Sequence, residues 1–303
     1  MENPKLTEFS LARPLSQRQR SQKPRGAKVT IAIGIVSKRS RWGPGEIILA
    51  SDSQMTFADG PKDLDAEKLS IVRFQNGRLL MVHAGYVQPA KKAVRTIQHL
   101  AKTERIENAE RVIEKGMREV RKALLDGFDF SDERKKTYLQ LDQKHEFLIA
   151  YYLNGEPFLR CADNYSCVVF PLENDKCGAI GLGKELGHYL LKEHQASDGD
   201  FEFSDLAAIS VIERVKANVD GCAGPCQVGM VVPMANEWEC DVSIFPRPLV
   251  ENTAHAINNF ESNILSDRKS QLNKFQVEFW KQQGMMIYGK FAEDNPMLKQ
   301  MFE

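Results

Sequence analysis

Three residues in the first part of the chain, Thr30, Asp52 and Lys68, carry side chains suited to nucleophilic chemistry. A threonine hydroxyl holds its proton too tightly to attack a carbonyl at neutral pH unless a base accepts it. The α-amine of a chain that begins at threonine can be that base, because its ordinary pKa is about 8. A nearby lysine favours the neutral amine, and a carboxylate keeps the lysine charged and in place. Cleavage before Thr30 would therefore create a catalyst assisted by Lys68 and Asp52.

Each of these residues also has an ordinary structural interpretation. Thr30 lies in a β-branched run and is explained as a strand residue. Asp52 is explained as a turn cap and Lys68 as a solvated surface residue. His83, on an apolar run, is typical of a core histidine. The choice depends on the elements that position these side chains.

The first half of the chain predicts two hairpins followed by two helices. β-Branched and apolar residues form strand runs at 28–36, 46–50, 69–74 and 78–84. Asn76-Gly77, between the last two runs, tolerates the positive φ angles of a tight primed turn. Apolar residues recur at helical spacing over 90–101 and 106–125.

The second half of the chain returns to strands, then helices, then strands. The strand runs are 147–153, 157–161, 166–171, 177–180, 227–233 and 239–244, with Asn154-Gly155 as a further turn. The helical runs are 184–193 and 204–219, with Ser204 as the predicted N-cap. This order lacks the strict alternation of a doubly wound parallel sheet. It predicts an α+β fold, a four-layer αββα sandwich.

Several short motifs follow one another along the chain. The first are Thr30-Ile31-Ala32-Ile33-Gly34-Ile35, the segment from Ile47 to Thr56 that contains Asp52, and Lys68-Leu69, in which Lys68 comes sixteen residues after Asp52. The later motifs are His83-Ala84-Gly85, Gly181-Leu182-Gly183, and the segment from Val219 to Pro225 that contains Asp220. In this order the motifs resemble those of the proteasome β-type subunits and the bacterial proteasome-like threonine proteases, which are N-terminal-nucleophile (Ntn) hydrolases.

The resemblance implies an Ntn-hydrolase domain over 30–247, with Thr30 as the nucleophile after autoprocessing. It carries over Asp52, Lys68 and Asp220 as site residues, and it places backbone N–H groups at Gly85 against the oxyanion, worth about 3 kcal/mol per donor. Asp220-Gly221 is also explained as an ordinary turn. The resemblance implies a peptide or unfolded-protein substrate and a homo-oligomeric ring, and it leaves an ATP-dependent unfoldase open as a partner. No cofactor or metal is expected.

Three positions depart from the family pattern. Val29 replaces the glycine that usually precedes the nucleophile, and Leu182 and Ala223 replace serines, although Cys222 could supply part of the lost polarity. Two functions therefore stay open: a threonine-type endopeptidase, and a catalytically inactive proteasome-like structural or assembly subunit. An Ntn amidase acting on small molecules would use the same residues.

The composition limits the partners and the location. Lys plus Arg equal Asp plus Glu at 41 each, so no global charge favours nucleic acid or a membrane surface. No signal peptide, spanning run or Cys-x-x-Cys pair is found, which predicts a cytoplasmic protein. We expect residues 1–29 to be a disordered basic extension or pro-segment, and 248–303 to be a helical C-terminal extension.

Overall fold

The first sheet contains the strands that carry Thr30 and Asp52 at their ends. The structure is a computed structural model that describes residues 30–37, 45–56, 62–63, 66–85, 87–126, 145–172, 176–197, 201, 203–234 and 240–264. The sheet is antiparallel with the order β10-β1-β2-β11-β12. Its strands are β1 (Ile31–Ser37), β2 (Glu46–Asp52), β10 (Cys177–Gly181), β11 (Cys226–Pro233) and β12 (Cys240–Ile244).

The second sheet begins immediately after Lys68. It is antiparallel with the order β5-β6-β7-β8-β9. Its strands are β5 (Leu69–Arg73), β6 (Arg78–Gly85), β7 (His145–Leu153), β8 (Glu156–Asp163) and β9 (Val169–Pro171). Two short strands, β3 (Met55–Thr56) and β4 (Lys62–Asp63), pair separately in the connection between the sheets.

Helices cover the outer face of each sheet, which confirms the predicted αββα sandwich. The helices are α1 (Val87–Ala101), α2 (Ala109–Asp126), α3 (Lys184–Ser197), α4 (Ser204–Asn218) and α5 (Arg247–Ile264). Helices α1 and α2 form one apolar cluster with the second sheet, and helices α3, α4 and α5 form another with the first sheet. A third apolar cluster lies between the two sheets. The fold thus has three buried interfaces between four layers.

Strand β1 is buried on both faces, which explains its continuous apolar run. Ile31, Ile33 and Ile35 face the helices, whereas Ala32 and Val36 face the second sheet. A strand covered on both sides cannot show the alternation of a half-exposed strand. Thr30 directly precedes this strand and is held at the end of the sandwich.

The two predicted turns differ in outcome. Asn154 and Gly155 have φ angles of 54° and 77° and join β7 to β8, as expected for a primed turn. Neither Asn76 nor Gly77 has a positive φ; the loop between β5 and β6 spans 74–77. The Asn76 side chain instead accepts a 2.9 Å hydrogen bond from the backbone N–H of Ile106, so a tertiary contact determines this loop.

The start of α4 also differs from the prediction, because Phe203 occupies the N-cap position and makes no side-chain capping bond. Ser204 is the first helical residue, and its hydroxyl donates to the buried carboxylate of Glu46 on β2. The serine therefore ties a helix to the first sheet.

The predicted extensions are described only in part. Residues 1–29 and 265–303 lie outside the described residues. Helix α5 begins at Arg247 and buries Val250, Ala254 and Ile257 in the cluster beneath the first sheet. Among the described residues, no helix is both long and apolar enough to cross a membrane.

Candidate active site

Three strand ends bring Thr30, Asp52 and Lys68 together at one end of the sandwich. Thr30 precedes β1, Asp52 is the last residue of β2, and Lys68 precedes β5. Their exposed fractions are 3%, 0% and 1%. The site is therefore assembled from both sheets and is almost fully enclosed.

The three side chains form one hydrogen-bonded cluster. The Thr30 hydroxyl donates to Asp52 Oδ1 at 2.8 Å, and the Lys68 ammonium donates to the same oxygen at 2.6 Å. Lys68 Nζ also lies 2.5 Å from Thr30 Oγ1, to which it donates. The Thr30 hydroxyl is thus in hydrogen-bond contact with both Lys68 and Asp52.

Backbone donors hold the Asp52 carboxylate in place. The N–H of Ile31 donates to Oδ1 at 3.1 Å, and the N–H of Ala223 donates to Oδ2 at 3.2 Å. Ala223 lies on the turn between α4 and β11, and its carbonyl accepts from Gln54 N at 2.9 Å. These two bonds, one to each carboxylate oxygen, fix the orientation of the Asp52 side chain beside Thr30 and Lys68.

Burial and the neighbouring carboxylate act on Lys68 in opposite directions. Removal from water lowers the pKa of Lys68, and the charge of Asp52 partly offsets that shift by stabilising the ammonium. The proton on Lys68 is therefore held less tightly than on an exposed lysine. A lysine of this kind can exchange a proton with a group that it contacts, here Thr30 Oγ1.

The ends of β6 and β10 meet beside Thr30. A Cβ on Gly181 would lie 2.3 Å from the Thr30 carbonyl oxygen and 3.1 Å from the Cβ of Ala84. Gly85 follows Ala84 with a φ of 97°, a conformation that glycine adopts without strain. The structure thus brings the Gly85 turn to the same end of the sandwich as Thr30.

Asp220 is exposed, unlike the three residues of the cluster. It lies on the turn after α4, and Ala223 on the same turn donates to Asp52. Cys222 on this turn is 3% exposed. Burial, reinforced by the charge of Asp52, raises the pKa of its thiol to about 12, so the thiol is neutral near pH 7.

His83 is buried and carries no charge near neutral pH. Its side chain is 2% exposed, and neither ring nitrogen has a hydrogen-bond partner among the described residues. Burial, with repulsion from Lys68 as the next cause, lowers the pKa of His83 to about 3. It matches the expected core histidine in burial but not in hydrogen bonding.

Two polar residues next to the site were not predicted as site residues from the sequence. Glu146 on β7 accepts a 3.0 Å hydrogen bond from the N–H of Gly181. Gln227 on β11 accepts from the N–H of Lys68 at 3.0 Å and donates to the carbonyl of Ala66 at 2.7 Å. Neither lies in a motif, and each acts across a large sequence separation, so no local signal could have identified them.

The surroundings of the site offer a small cavity and no evident metal centre. The cavity of about 270 Å³ lies on the side of Lys68 that faces β11, and its wall includes Glu67, Leu69, Pro225 and Gln227. Among the described residues, no group of three or more His, Cys, Asp or Glu side chains is arranged to hold a metal ion.

Comparison with known proteins identifies the fold through structure rather than sequence. No family model matches the chain, and no curated protein sequence matches it. Solved structures of Anbu proteins do match. Anbu (ancestral beta-subunit) from Yersinia bercovieri is 15% identical, with a TM-score of 0.54, 80% of this chain covered and 98% of that chain.

Two further Anbu structures give the same result. Anbu from Hyphomicrobium sp. strain MC1 is 14% identical, with a TM-score of 0.54 and coverage of 80% of this chain and 99% of that chain. A structure titled as the helical assembly of the Anbu complex from Pseudomonas aeruginosa is 13% identical, with a TM-score of 0.57 and coverage of 80% and 98%. At these identities the shared property is the fold. The chain therefore shares the fold of the Anbu structures, and that fold is the αββα sandwich that its sequence predicted.

Proposed function

We propose that the chain is a proteasome-like threonine-type endopeptidase. The observation that carries the proposal is the buried cluster in which Thr30 Oγ1 lies 2.5 Å from Lys68 Nζ and 2.8 Å from Asp52 Oδ1. A structural threonine at the start of a strand does not need a buried lysine against its hydroxyl. Removing an ammonium and a carboxylate from water costs several kcal/mol per ion, which can exceed the gain from their attraction, so a buried pair is a costly choice for a purely structural role.

The proposed reaction begins with hydrolysis of the bond between Val29 and Thr30, which frees the Thr30 α-amine. The amine, directly or through one water, accepts the hydroxyl proton as Oγ1 attacks a substrate carbonyl. Lys68 raises the local positive charge and favours the neutral amine, while Asp52 holds Lys68 in place. The amine then returns the proton to the leaving nitrogen, and water hydrolyses the ester on Thr30.

The remaining site residues take supporting roles in this proposal. The N–H at the Gly85 turn donates to the oxyanion. Asp220, exposed on the turn that anchors Asp52, acts through that turn or on bound substrate rather than on the hydroxyl. The N–H of Gly183 donates to the Thr30 carbonyl oxygen at 3.4 Å, and Gly181 lies so close to the same oxygen that a Cβ would not fit between them, so this glycine turn orients Thr30.

We further propose that the protein works as a homo-oligomer on peptides or unfolded proteins, with an ATP-dependent unfoldase as a candidate partner. The Pseudomonas aeruginosa Anbu forms a helical assembly, which supports association between copies of this fold. Exposed apolar side chains are available for such contacts: Tyr165, Val168, Phe170, Leu182, Tyr189 and Ile244.

A second candidate is a catalytically inactive structural or assembly subunit. It is favoured by the two positions where hydroxyls are replaced, since Ala223 has none and Leu182 is 56% exposed without a polar group. Under this alternative the chain keeps residues 1–29 and the cluster serves stability alone.

Intact-mass spectrometry of the purified protein separates the two candidates. We expect the wild-type chain to lose a mass equal to residues 1–29 and Thr30→Ala to keep it. Thr253→Ala is the matched control, because Thr253 is also buried but bonds to the carbonyl of Leu249 on α5. If all three proteins keep the full mass after assembly, self-processing fails and the structural subunit is preferred.

A further inference from the structure

The backbone on either side of the Lys68 side chain is fixed at four points. Ala66 N donates to Ser53 O at 3.1 Å, and Lys68 O accepts from His83 N at 3.3 Å. The other two groups, Ala66 O and Lys68 N, bond to the side-chain amide of Gln227 at 2.7 and 3.0 Å. One side chain thus supplies half of the anchors for this segment.

These two bonds replace pairing that the sheet does not provide. Lys68 precedes β5, and β5 is the first strand in the order of its sheet, with β6 as its neighbour. A planar amide with one acceptor and one donor matches the N–H and C=O of an extended segment, as a neighbouring strand would. Gln227 therefore acts as a one-residue substitute for a strand beside Lys68.

Gln227 also connects Lys68 to the strand that carries Asp52. In the pairing of β11 with β2, Cys226 lies opposite Asp52 and Gln227 lies opposite Ser51. Gln227 thus extends from the register position next to Asp52 in the first sheet to the backbone of Lys68 at the start of the second sheet. The distance between the ammonium and the carboxylate depends on this connection.

We propose that Gln227 is a positioning residue that fixes the Lys68 ammonium against Asp52 and Thr30. A lysine side chain has four rotatable bonds and does not hold a position without support. When the amide is removed, the segment from Ala66 to Lys68 shifts and the ammonium leaves the hydroxyl. A displacement of about 1 Å in a reacting geometry can lower a rate about 100-fold. The rate effect rests on the proposed function, whereas the effect on Lys68 itself does not.

The test compares Gln227→Met with Gln98→Met in the full chain. Methionine has a similar length but lacks both amide groups. Gln98 is the matched control, because it is also half-buried and its amide donates to the strand that follows Lys68, at Ile71 O of β5, 3.2 Å away. Both variants therefore remove a glutamine bond to the backbone of residues 66–73, but only Gln227→Met removes the bonds to Ala66 and Lys68.

The first measurement is the pKa of Lys68, followed by NMR in protein with ¹³C-labelled lysine and assigned with Lys68→Arg. Burial lowers the pKa of Lys68 and the contact with Asp52 opposes that shift, so an ammonium that leaves this position has a different pKa from the wild-type one. We expect the pKa of Lys68 to change in Gln227→Met only, with a rise where the ammonium reaches water. An unchanged pKa in Gln227→Met, or an equal change in both variants, overturns the proposal.

The second measurement is the rate of cleavage before Thr30, followed by intact mass. We expect Gln227→Met to be slower by about 10- to 100-fold and Gln98→Met to stay within about threefold of wild type. Cleavage of Gln227→Met at the wild-type rate overturns the positioning role. A wild-type chain that is not cleaved counts against the proposed function instead, and the pKa of Lys68 then decides the role of Gln227 alone.

Discussion

Lys68, which directly precedes β5, and His83 on the neighbouring strand β6 are almost equally buried, yet their side chains have opposite surroundings. The N–H of His83 donates to the carbonyl of Lys68, and the side chains are 2% and 1% exposed. The Lys68 ammonium donates to Asp52 and Thr30. The His83 imidazole has no hydrogen-bond partner among the described residues and contacts the rings of Phe147 at 6.4 Å between centroids.

The comparison separates burial from reactivity. Burial lowers the pKa of both groups, but only Lys68 has a carboxylate that opposes this shift. Lys68 therefore combines a weakened hold on its proton with a contact to a hydroxyl. His83 becomes a neutral part of the apolar layer beneath α1. A buried titratable group is a catalytic candidate when it also has partners, and the predictions below act on this difference.

Removing the partner of Lys68 is expected to have the largest effect. Asp52→Asn leaves a buried ammonium without its counter-charge, which should lower the free energy of unfolding by about 3–5 kcal/mol. The matched control is Asp241→Asn, which breaks the ion pair with Arg78. Asp241 is 28% exposed and Arg78 is 46% exposed, so this substitution should lower the free energy of unfolding by less than about 1 kcal/mol. Urea unfolding measures both. An equal decrease in the free energy of unfolding in the two variants would mean that the buried pair contributes no more to stability than the exposed one.

The second largest effect is expected from adding a side chain at Gly181, beside the Thr30 carbonyl oxygen. Gly181 has a φ of 89°, and a Cβ there would lie 2.3 Å from the Thr30 carbonyl oxygen. Gly155 has a φ of 77° but nothing within 4 Å of its Cβ position. Gly155→Ala therefore measures the backbone cost alone, about 1–2 kcal/mol, and Gly181→Ala should cost about 1–3 kcal/mol more.

The same two glycine variants test whether Gly181 positions the nucleophile. Cleavage before Thr30, followed by mass spectrometry, should be lost in Gly181→Ala and kept in Gly155→Ala. Equal stability and equal cleavage in the two variants would contradict the close contact between Gly181 and Thr30.

The effect that is smallest at neutral pH is that of His83, because it develops only as the pH falls. Its pKa is about 3 in the folded chain and about 6.5 when unfolded. As the pH falls, the unfolded chain binds the proton before the folded chain does. The contribution of neutral His83 to the free energy of unfolding is therefore fully present above pH 6.5 and is lost as the pH drops toward 3, by up to about 1.4 kcal/mol per pH unit. In His83→Leu this contribution should vanish, which denaturation between pH 4 and 7 measures. Parallel curves for the two proteins would show that His83 is not neutral in the fold.

Much of the architecture could be predicted from local patterns. The apolar runs and the Asn154-Gly155 turn identified strands and a hairpin because they depend on neighbouring residues. The hairpin around Asn76-Gly77 was predicted correctly, but its positive φ angles were not, since Asn76 bonds to the backbone N–H of Ile106, 30 residues further along the chain. Ser204 was misplaced as a cap for the same reason, because its hydroxyl is used by Glu46.

Site residues could be predicted from the sequence only where they lie in recognisable motifs. Thr30, Asp52 and Lys68 were chosen from motif spacing, and the fold brings them within hydrogen-bonding distance. Gln227 acts on Lys68 across 159 residues, and Glu146 acts on Gly181 across 35. Such contacts depend on strand register and sheet packing, which a single sequence does not specify.

The central claim, that Thr30 is a nucleophile when it begins the chain, is tested most directly without relying on self-processing. Residues 30–303 can be produced behind a leader sequence that an added protease removes, so that the chain starts at Thr30. The rate at which this protein hydrolyses a labelled unfolded protein is then measured. We expect hydrolysis that falls by at least about 100-fold in Thr30→Ala and in Lys68→Met. Hydrolysis no faster than that of Thr30→Ala would contradict the account and leave the cluster as a structural feature of an inactive subunit.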